Sequence, residues 1–375
     1  MQGPNQSRSL YFSEYSLAGK EDLCYKDAIF LSPHKLVGGP GSSGVLVAAK
    51  ALLYDKIPDR IGGGPVFFVN EKDHEFMANV EELEEAGTPG VIQDIRAGLV
   101  YQLREQVGVE TIRGLEEAIK DKVLARLSKI PNLYLLGNNN LPKVPIFSFI
   151  IKTRQGKILH PFFVTSLMSD LFGIQTRSGC SCAAMYGQKI LGIDLALSRR
   201  YKEALYEGHE LLRMGYTRFN FNYFQTEEDM EYVLSALEFV CKFGWMFMPN
   251  YKFDVDLGIW VHRLESEQQQ RVWLGEIDYS QGFMGARQIG VRNKMPFETT
   301  DQVAPLSDYF EQAKEHLVQT VESYKMAFGK SYVDQTLLFP DQYKDLVWFL
   351  FPSEVTQELV SLKKGINFEG LSAFA

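Results

Sequence analysis

The chain has 375 residues, 45% of them hydrophobic and 13% aromatic, which is core enough for two globular domains and excludes a disordered polypeptide. Its net charge of -8 is modest, so no basic surface for nucleic acid or anionic lipid is expected. No apolar run approaches the roughly 20 residues of a membrane span, Met1–Arg8 lacks the apolar core of a signal peptide, and four cysteines are too few for a disulfide framework; together these features predict a cytoplasmic protein.

Up to about Tyr25 the chain is polar and without clear periodicity. Asp27–Phe30 and Val45–Ala49 then read as two strands around Leu31-Ser32-Pro33-His34-Lys35-Leu36-Val37-Gly38-Gly39-Pro40-Gly41-Ser42-Ser43-Gly44. Arg60–Pro65 breaks the chain, and Val66–Val69 is a strand. Glu81–Glu85 is an acidic approach to Ala86-Gly87-Thr88-Pro89-Gly90, where Thr88 suits a helix N-cap and Pro89 a first helical position. Val91, Ile92, Ile95, Leu99 and Leu103 recur at helical spacing, so an amphipathic helix begins there. A second helix is predicted from about Thr111 to Ile130, then strands at Leu133–Leu136 and Pro145–Ile151, a helix over Pro161–Leu171 and a short strand over Gly173–Arg177. Residues 196 to 213 read as one helix. Tyr216–Phe224 alternates with period two, which puts Arg218, Asn220 and Asn222 on one face and Phe219, Phe221 and Tyr223 on the other. Thr226-Glu227-Glu228-Asp229 is a capping box opening a helix to about Phe243. Beyond Met248 follow a hairpin, Tyr251–Asp254 with Gly258–Arg263, and helices at about 305 to 327 and 341 to 362. Helices alternating with strands give an α/β protein.

Four segments carry groups suited to chemistry. Lys35 sits beside His34 on a glycine-rich stretch whose backbone can approach a ligand closely, and partial burial of such an amine favours Schiff-base chemistry. A surface lysine in a hairpin with a Gly-Pro-Gly turn is the alternative. Gly87-Thr88 at a helix start can bind phosphate through free backbone N–H groups, or be an ordinary cap. Arg177-Ser178-Gly179-Cys180-Ser181-Cys182 places an arginine and two thiols at a strand end; the thiols need partial exposure and nearby positive charge to react, and are otherwise small buried apolar groups. The Cys-x-Cys lacks a second Cys or His pair at zinc-like spacing, so no metal site is expected. Arg218, among aromatics on a strand that reads as internal, requires an anion, either a substrate carboxylate or a protein one.

Ser32-Pro33-His34-Lys35 with Gly-Gly-Pro-Gly, then Gly62-Gly63-Gly64, Glu85-Ala86-Gly87-Thr88-Pro89, Arg177–Ala183 and Arg218-Phe219-Asn220 occur in the order of the class V aminotransferases. Over about residues 25 to 263 the chain resembles that family, and within it the cysteine desulfurase and selenocysteine lyase group. The resemblance implies the C-terminal part of a pyridoxal-phosphate transferase of fold type I. Residues 1–105 would be a remnant of the cofactor-binding large domain, 106–250 the α/β small domain and 251–375 a C-terminal extension. Lys35 would be the Schiff-base lysine, Ser32 and His34 would hold the phosphate of pyridoxal 5'-phosphate, and Thr88 would reach the phosphate in the partner subunit of a homodimer. Arg218 matches the arginine that binds the α-carboxylate of a free amino-acid substrate, Arg177 an accessory arginine, and Cys182 the cysteine that accepts sulfur as a persulfide. The family's cofactor domain, with its ring-stacking group and the aspartate paired with the pyridine nitrogen, begins some 200 residues before the lysine. This chain has Tyr11-Phe12-Ser13-Glu14-Tyr15-Ser16 instead, which reads as a fragment, an incomplete gene model or a decayed, non-catalytic paralogue acting through its interaction surfaces.

Overall fold

A computed structural model of the chain describes residues 26–53, 55–153, 155–180, 183–263, 277–278, 280, 285–286, 305–326, 333–361, 366 and 368. The chain divides into two compact units, Met1–Gly114 and Leu115–Ala375.

In the first unit, β1 (Ala28–Leu31) and β2 (Val45–Ala48) form an antiparallel pair, with a single 3-10 turn at Pro33–Lys35 between them. β3 (Val66–Val69) and β4 (His74–Phe76) form a second pair. The acidic run expected as an approach is a short helix, α1 (Val80–Glu84), whose N-cap Asn79 accepts from Glu81 N–H. α2 (Val91–Val107) follows, and Gly108, with φ of +90°, separates it from α3 (Val109–Leu127), most of which belongs to the second unit. α2 corrects the expectation for Thr88: its N-cap is Gly90 and its first residue Val91. The reason lies just upstream, where Gly87 N–H donates to Gly63 O at 2.6 Å and holds residues 87–89 against the Gly62–Gly64 segment, out of the helix. α2 buries Ala97 and Val100, while the predicted apolar stripe of Ile92, Ile95 and Leu99 stays exposed, bordering an open groove with Val37 and Gly38.

In the second unit, β5 (Leu133–Leu135), β6 (Ile146–Ile151), β7 (Arg177–Gly179) and β8 (Tyr216–Asn220) make one antiparallel sheet in the order β5-β6-β8-β7. Alternation along β6 and β8 sends Phe147, Phe149, Ile151, Thr217 and Phe219 to a buried face and leaves Ser148 and Arg218 on the other. α4 (Pro161–Phe172) and α7 (Glu227–Phe243) cover the buried face, joined there by Leu127 of α3. α7 opens with the predicted capping box between Thr226 and Asp229. α4 ends at Gly173 in the left-handed conformation, which delays the following strand: β7 begins at Arg177 rather than ending there.

Between β7 and β8 lie α5 (Ala184–Ile190) and α6 (Leu195–Tyr206). The single helix expected over 196 to 213 is cut by Gly208, with φ of +90°, and continues only as a 3-10 turn at Glu210–Leu212. β9 (Tyr251–Phe253) and β10 (Trp260–His262) form the predicted hairpin, and β11 (Ile277–Asp278) pairs with β12 (Gly285–Ala286). α8 (Leu306–Met326) and α9 (Pro352–Ser361) complete the order. The helix expected over 341 to 362 is split, because residues 347–351 run extended and Leu350 N–H donates to Ile158 O. Phe310, Leu317, Phe349, Phe351 and Val355 enter the same apolar core as α4 and α7.

Candidate functional site

The groups on the first unit are built by its hairpin. Ser32 stands at the head of the 3-10 turn, Lys35 N–H donates to Ser32 O at 3.0 Å, and Pro33 is the buried anchor. This leaves Ser32, His34 and Lys35 pointing outward from one turn, all exposed. The glycine-rich loop after them is tied to α2. Ser43 N–H donates to Gln93 O at 3.3 Å, Ser43 Oγ to Asp94, and Arg96 Nη1 to Pro40 O. Gly39 allows the loop to fold back: a Cβ there would stand 1.9 Å from Pro33 O. Ser42 Oγ, in the same loop, is buried without a hydrogen-bond partner among the described residues. Thr88 is exposed, two residues ahead of the α2 N-cap.

An exposed primary amine with a hydroxyl and an imidazole on the same turn suits an aldehyde and a phosphate monoester. A buried, unpartnered hydroxyl in the adjoining loop is a further polar atom awaiting a partner. The residues present therefore fit the aldehyde and phosphate parts of pyridoxal phosphate. Glu14 and the rest of Tyr11–Ser16 lie outside the described residues.

The groups on the second unit are placed by strand register. Arg218 of β8 pairs directly with Arg177 of β7 on one side and with Ser148 of β6 on the other. The ladder continues to Leu136, whose N–H donates to Ser148 O at 2.8 Å. One row across this face thus reads Leu136, Ser148, Arg218, Arg177. Like charges directly opposite on neighbouring strands repel, and among the described residues no carboxylate pairs with Arg218. An anion held at Arg218 relieves that repulsion.

Cys182 lies outside the described residues; Cys180 is described, and is held structurally. Its Sγ donates to Met214 O at 3.1 Å, and Tyr216 Oη to Cys180 O at 3.4 Å. Burial pushes the Cys180 thiol up, with Arg213 pulling weakly the other way, so it is kept protonated. Arg213 itself is engaged with both carboxylate oxygens of Glu210 at 2.7 Å. Sequence reading missed the Leu136–Ser148 half of the row, since only the pairing of strands distant in the chain reveals it.

The family model "Aminotransferase class-V" matches residues 23–233. A cysteine desulfurase of Shigella flexneri is 30% identical over 157 residues, 42% of this chain and 36% of that protein. A probable cysteine desulfurase of Streptomyces coelicolor is 28% identical over 158 residues, with the same shares covered. The match therefore spans about a third of the length of these curated relatives. Among solved structures, a cysteine desulfurase from Thermococcus onnurineus NA1 aligns with 58% of this chain and 47% of its own, at 25% identity and a TM-score of 0.45. With the family model matched over more than half of its residues, the chain belongs to the class V aminotransferases and carries part of their α/β fold type I.

Proposed function

We propose that the chain binds pyridoxal 5'-phosphate through Lys35 and acts on a free amino acid, with desulfurase-type chemistry at Cys182. The observation that supports this most is Arg218, in direct register with Arg177 and without a carboxylate partner among the described residues, a cation suited to an α-carboxylate. Lys35 contributes the amine to which the cofactor's aldehyde bonds, and afterwards the group that takes and returns the proton at the substrate Cα. Ser32 and His34 hold the phosphate. When bound, the cofactor draws electron density from the substrate Cα. Arg218, flanked by Ser148 and Arg177, orients the substrate by its carboxylate. Cys182 attacks the sulfur of a cysteine substrate as a thiolate; its own sulfur gains the new S–S bond, the substrate's C–S bond breaks, and the carbon skeleton leaves as alanine after protonation.

The test is a spectrum. The purified chain, incubated with pyridoxal phosphate and dialysed, should retain a near-visible absorbance band that Lys35→Ala abolishes, and L-cysteine should then yield alanine, with sulfide released from the Cys182 persulfide by an added dithiol reductant, in a reaction that Cys182→Ser abolishes. Absence of a retained band, or a band equal in Lys35→Ala, refutes the cofactor role. A band with no alanine from L-cysteine refutes the desulfurase reading and leaves transamination or another lyase reaction to be screened.

A further inference from the structure

Residues 339–350, far along the chain, strap down the connection that leads back into β8. Arg200 of α6 donates to both carboxylate oxygens of Asp345 at 2.6 and 2.8 Å, and from Nη2 to Gln342 O at 2.8 Å. Tyr201 Oη donates to Leu346 O at 3.0 Å, and Tyr343 Oη to Glu207 at 2.9 Å. His209 stands edge-on to the rings of Phe339 and Tyr343. At the far end of the strap, the Trp348 indole N–H donates to Leu212 O at 3.2 Å. The neighbouring Leu211 is held as well, its N–H donating to Val255 O at 3.0 Å and its carbonyl accepting from His160 Nε2.

Two residues beyond Leu212, Met214 O is the acceptor for Cys180 Sγ. Gly215 then passes so close to β7 that a Cβ on it would stand 2.7 Å from Gly179 Cα. The segment 211–215 is therefore pinned to the strap at one end and to β7 at the other, and opening it from the strap end removes the acceptor that holds the thiol. Leu212 is fully buried, so its carbonyl would be a buried, unpaired acceptor without the indole. A buried thiol that donates a hydrogen bond is protonated and not nucleophilic. Freed from Met214 O, the same sulfur would stand near Arg213, whose charge favours the thiolate. We propose that Trp348 is a positioning residue that keeps Cys180 silent, so that sulfur chemistry on this chain is confined to Cys182. The confinement rests on the role proposed for Cys182; the shielding of Cys180 does not, and it is read without cofactor or substrate.

The measurement is alkylation of the native full chain by iodoacetamide in a Cys182→Ser background, with the modified cysteines identified by peptide mass spectrometry. Cys241 of α7, 2% exposed, reports on global unfolding. Trp348→Phe keeps a ring against His160 and Phe349 but lacks the donor. It should raise the Cys180 rate about tenfold and leave Cys241 unmodified. Arg126→Ala, which loosens α3 from α7 instead, should leave the Cys180 rate within about twofold of the parent. A Cys180 rate unchanged in Trp348→Phe, raised equally by Arg126→Ala, or raised only together with Cys241, overturns the positioning role. If Trp348→Phe does not fold, Arg200→Gln decides: it removes the exposed bridge to Asp345 elsewhere on the strap and should raise the Cys180 rate about threefold, and no rise overturns the proposal. Alanine formation from L-cysteine by the parent chain tests Cys182 separately. A chain that makes none refutes that reading and with it the confinement, while a selective rise at Cys180 still upholds the positioning role of Trp348.

Discussion

His160 makes the second unit sensitive to acid. It is 1% exposed, and its two ring nitrogens have opposite roles: Nε2–H donates to Leu211 O at 3.2 Å, while Nδ1 accepts from Phe162 N–H at 3.3 Å as the N-cap of α4. Its ring packs between Phe162, Trp260, Trp348 and Phe349, with centroids 4.9 to 5.7 Å away. A second proton on Nδ1 would face the Phe162 N–H and charge the ring inside an aromatic core. Burial accordingly lowers its pKa from 6.5 to about 3. The unfolded chain therefore binds a proton that the folded chain refuses at every pH between those values, so stability falls as pH drops below about 6.5 and the loss levels off only near 3. Between pH 7 and pH 5 the linkage amounts to about 2 kcal/mol. His160→Asn keeps a side-chain acceptor for the cap but cannot titrate. It should be less stable than the parent at pH 7, by about 2–3 kcal/mol for the lost ring packing and the unpaired Leu211 carbonyl. Denaturant melts of both proteins at pH 7 and pH 5 should show the gap shrinking by about 2 kcal/mol at the lower pH. A gap that stays constant would refute the claim that His160 is held neutral.

Arg126 clamps α3 to α7, with Nε and Nη2 on Glu238 at 2.7 and 3.0 Å, Nη1 on Glu231 at 2.5 Å and Nη2 on Ser235 at 3.1 Å. Arg126→Ala should cost about 2–3 kcal/mol at pH 7, by calorimetry, because it leaves two part-buried carboxylates without their cation. Arg126 lowers the Glu231 pKa, so this pairing is fully present above the ordinary glutamate range and fades as pH falls through the depressed value; the variant's deficit should be smaller at pH 3. Gly215→Ala would place a Cβ 2.7 Å from Gly179 Cα, pushing β7 off β8, and should abolish amino-acid binding in a ligand-observed NMR titration while the helical circular dichroism is kept. Burial raises the thiol pKa of both Cys180 and Cys241, and Cys241 is 2% exposed. Iodoacetamide at pH 8, followed by mass spectrometry, should modify Cys241 only after denaturant is added and Cys180 far more slowly than an exposed thiol.

Elements whose signal is local were legible in the sequence. The capping box at Thr226, the strand alternation over Ile146–Ile151 and the run from Pro161 to the glycine that ends α4 each fix a neighbourhood of a few residues by side-chain periodicity or backbone chemistry. The order of Ser32-Pro33-His34-Lys35, the glycine segments, Arg177 and Arg218 likewise sufficed to indicate the family. Local signals failed where a distant contact outweighed them. Thr88 has the chemistry of a cap, but the Gly87–Gly63 hydrogen bond moves the helix start to Gly90. Cys180 could not be told from a reactive thiol until Met214 O was found on its sulfur. The sequence alone determined which groups the chain has to work with: an amine, two arginines, a hydroxyl and thiols, on strands and turns of known type. Only the tertiary structure decided that Arg177 faces Arg218 with Ser148 and Leu136 in line, because strand register is set by packing between segments far apart in the chain.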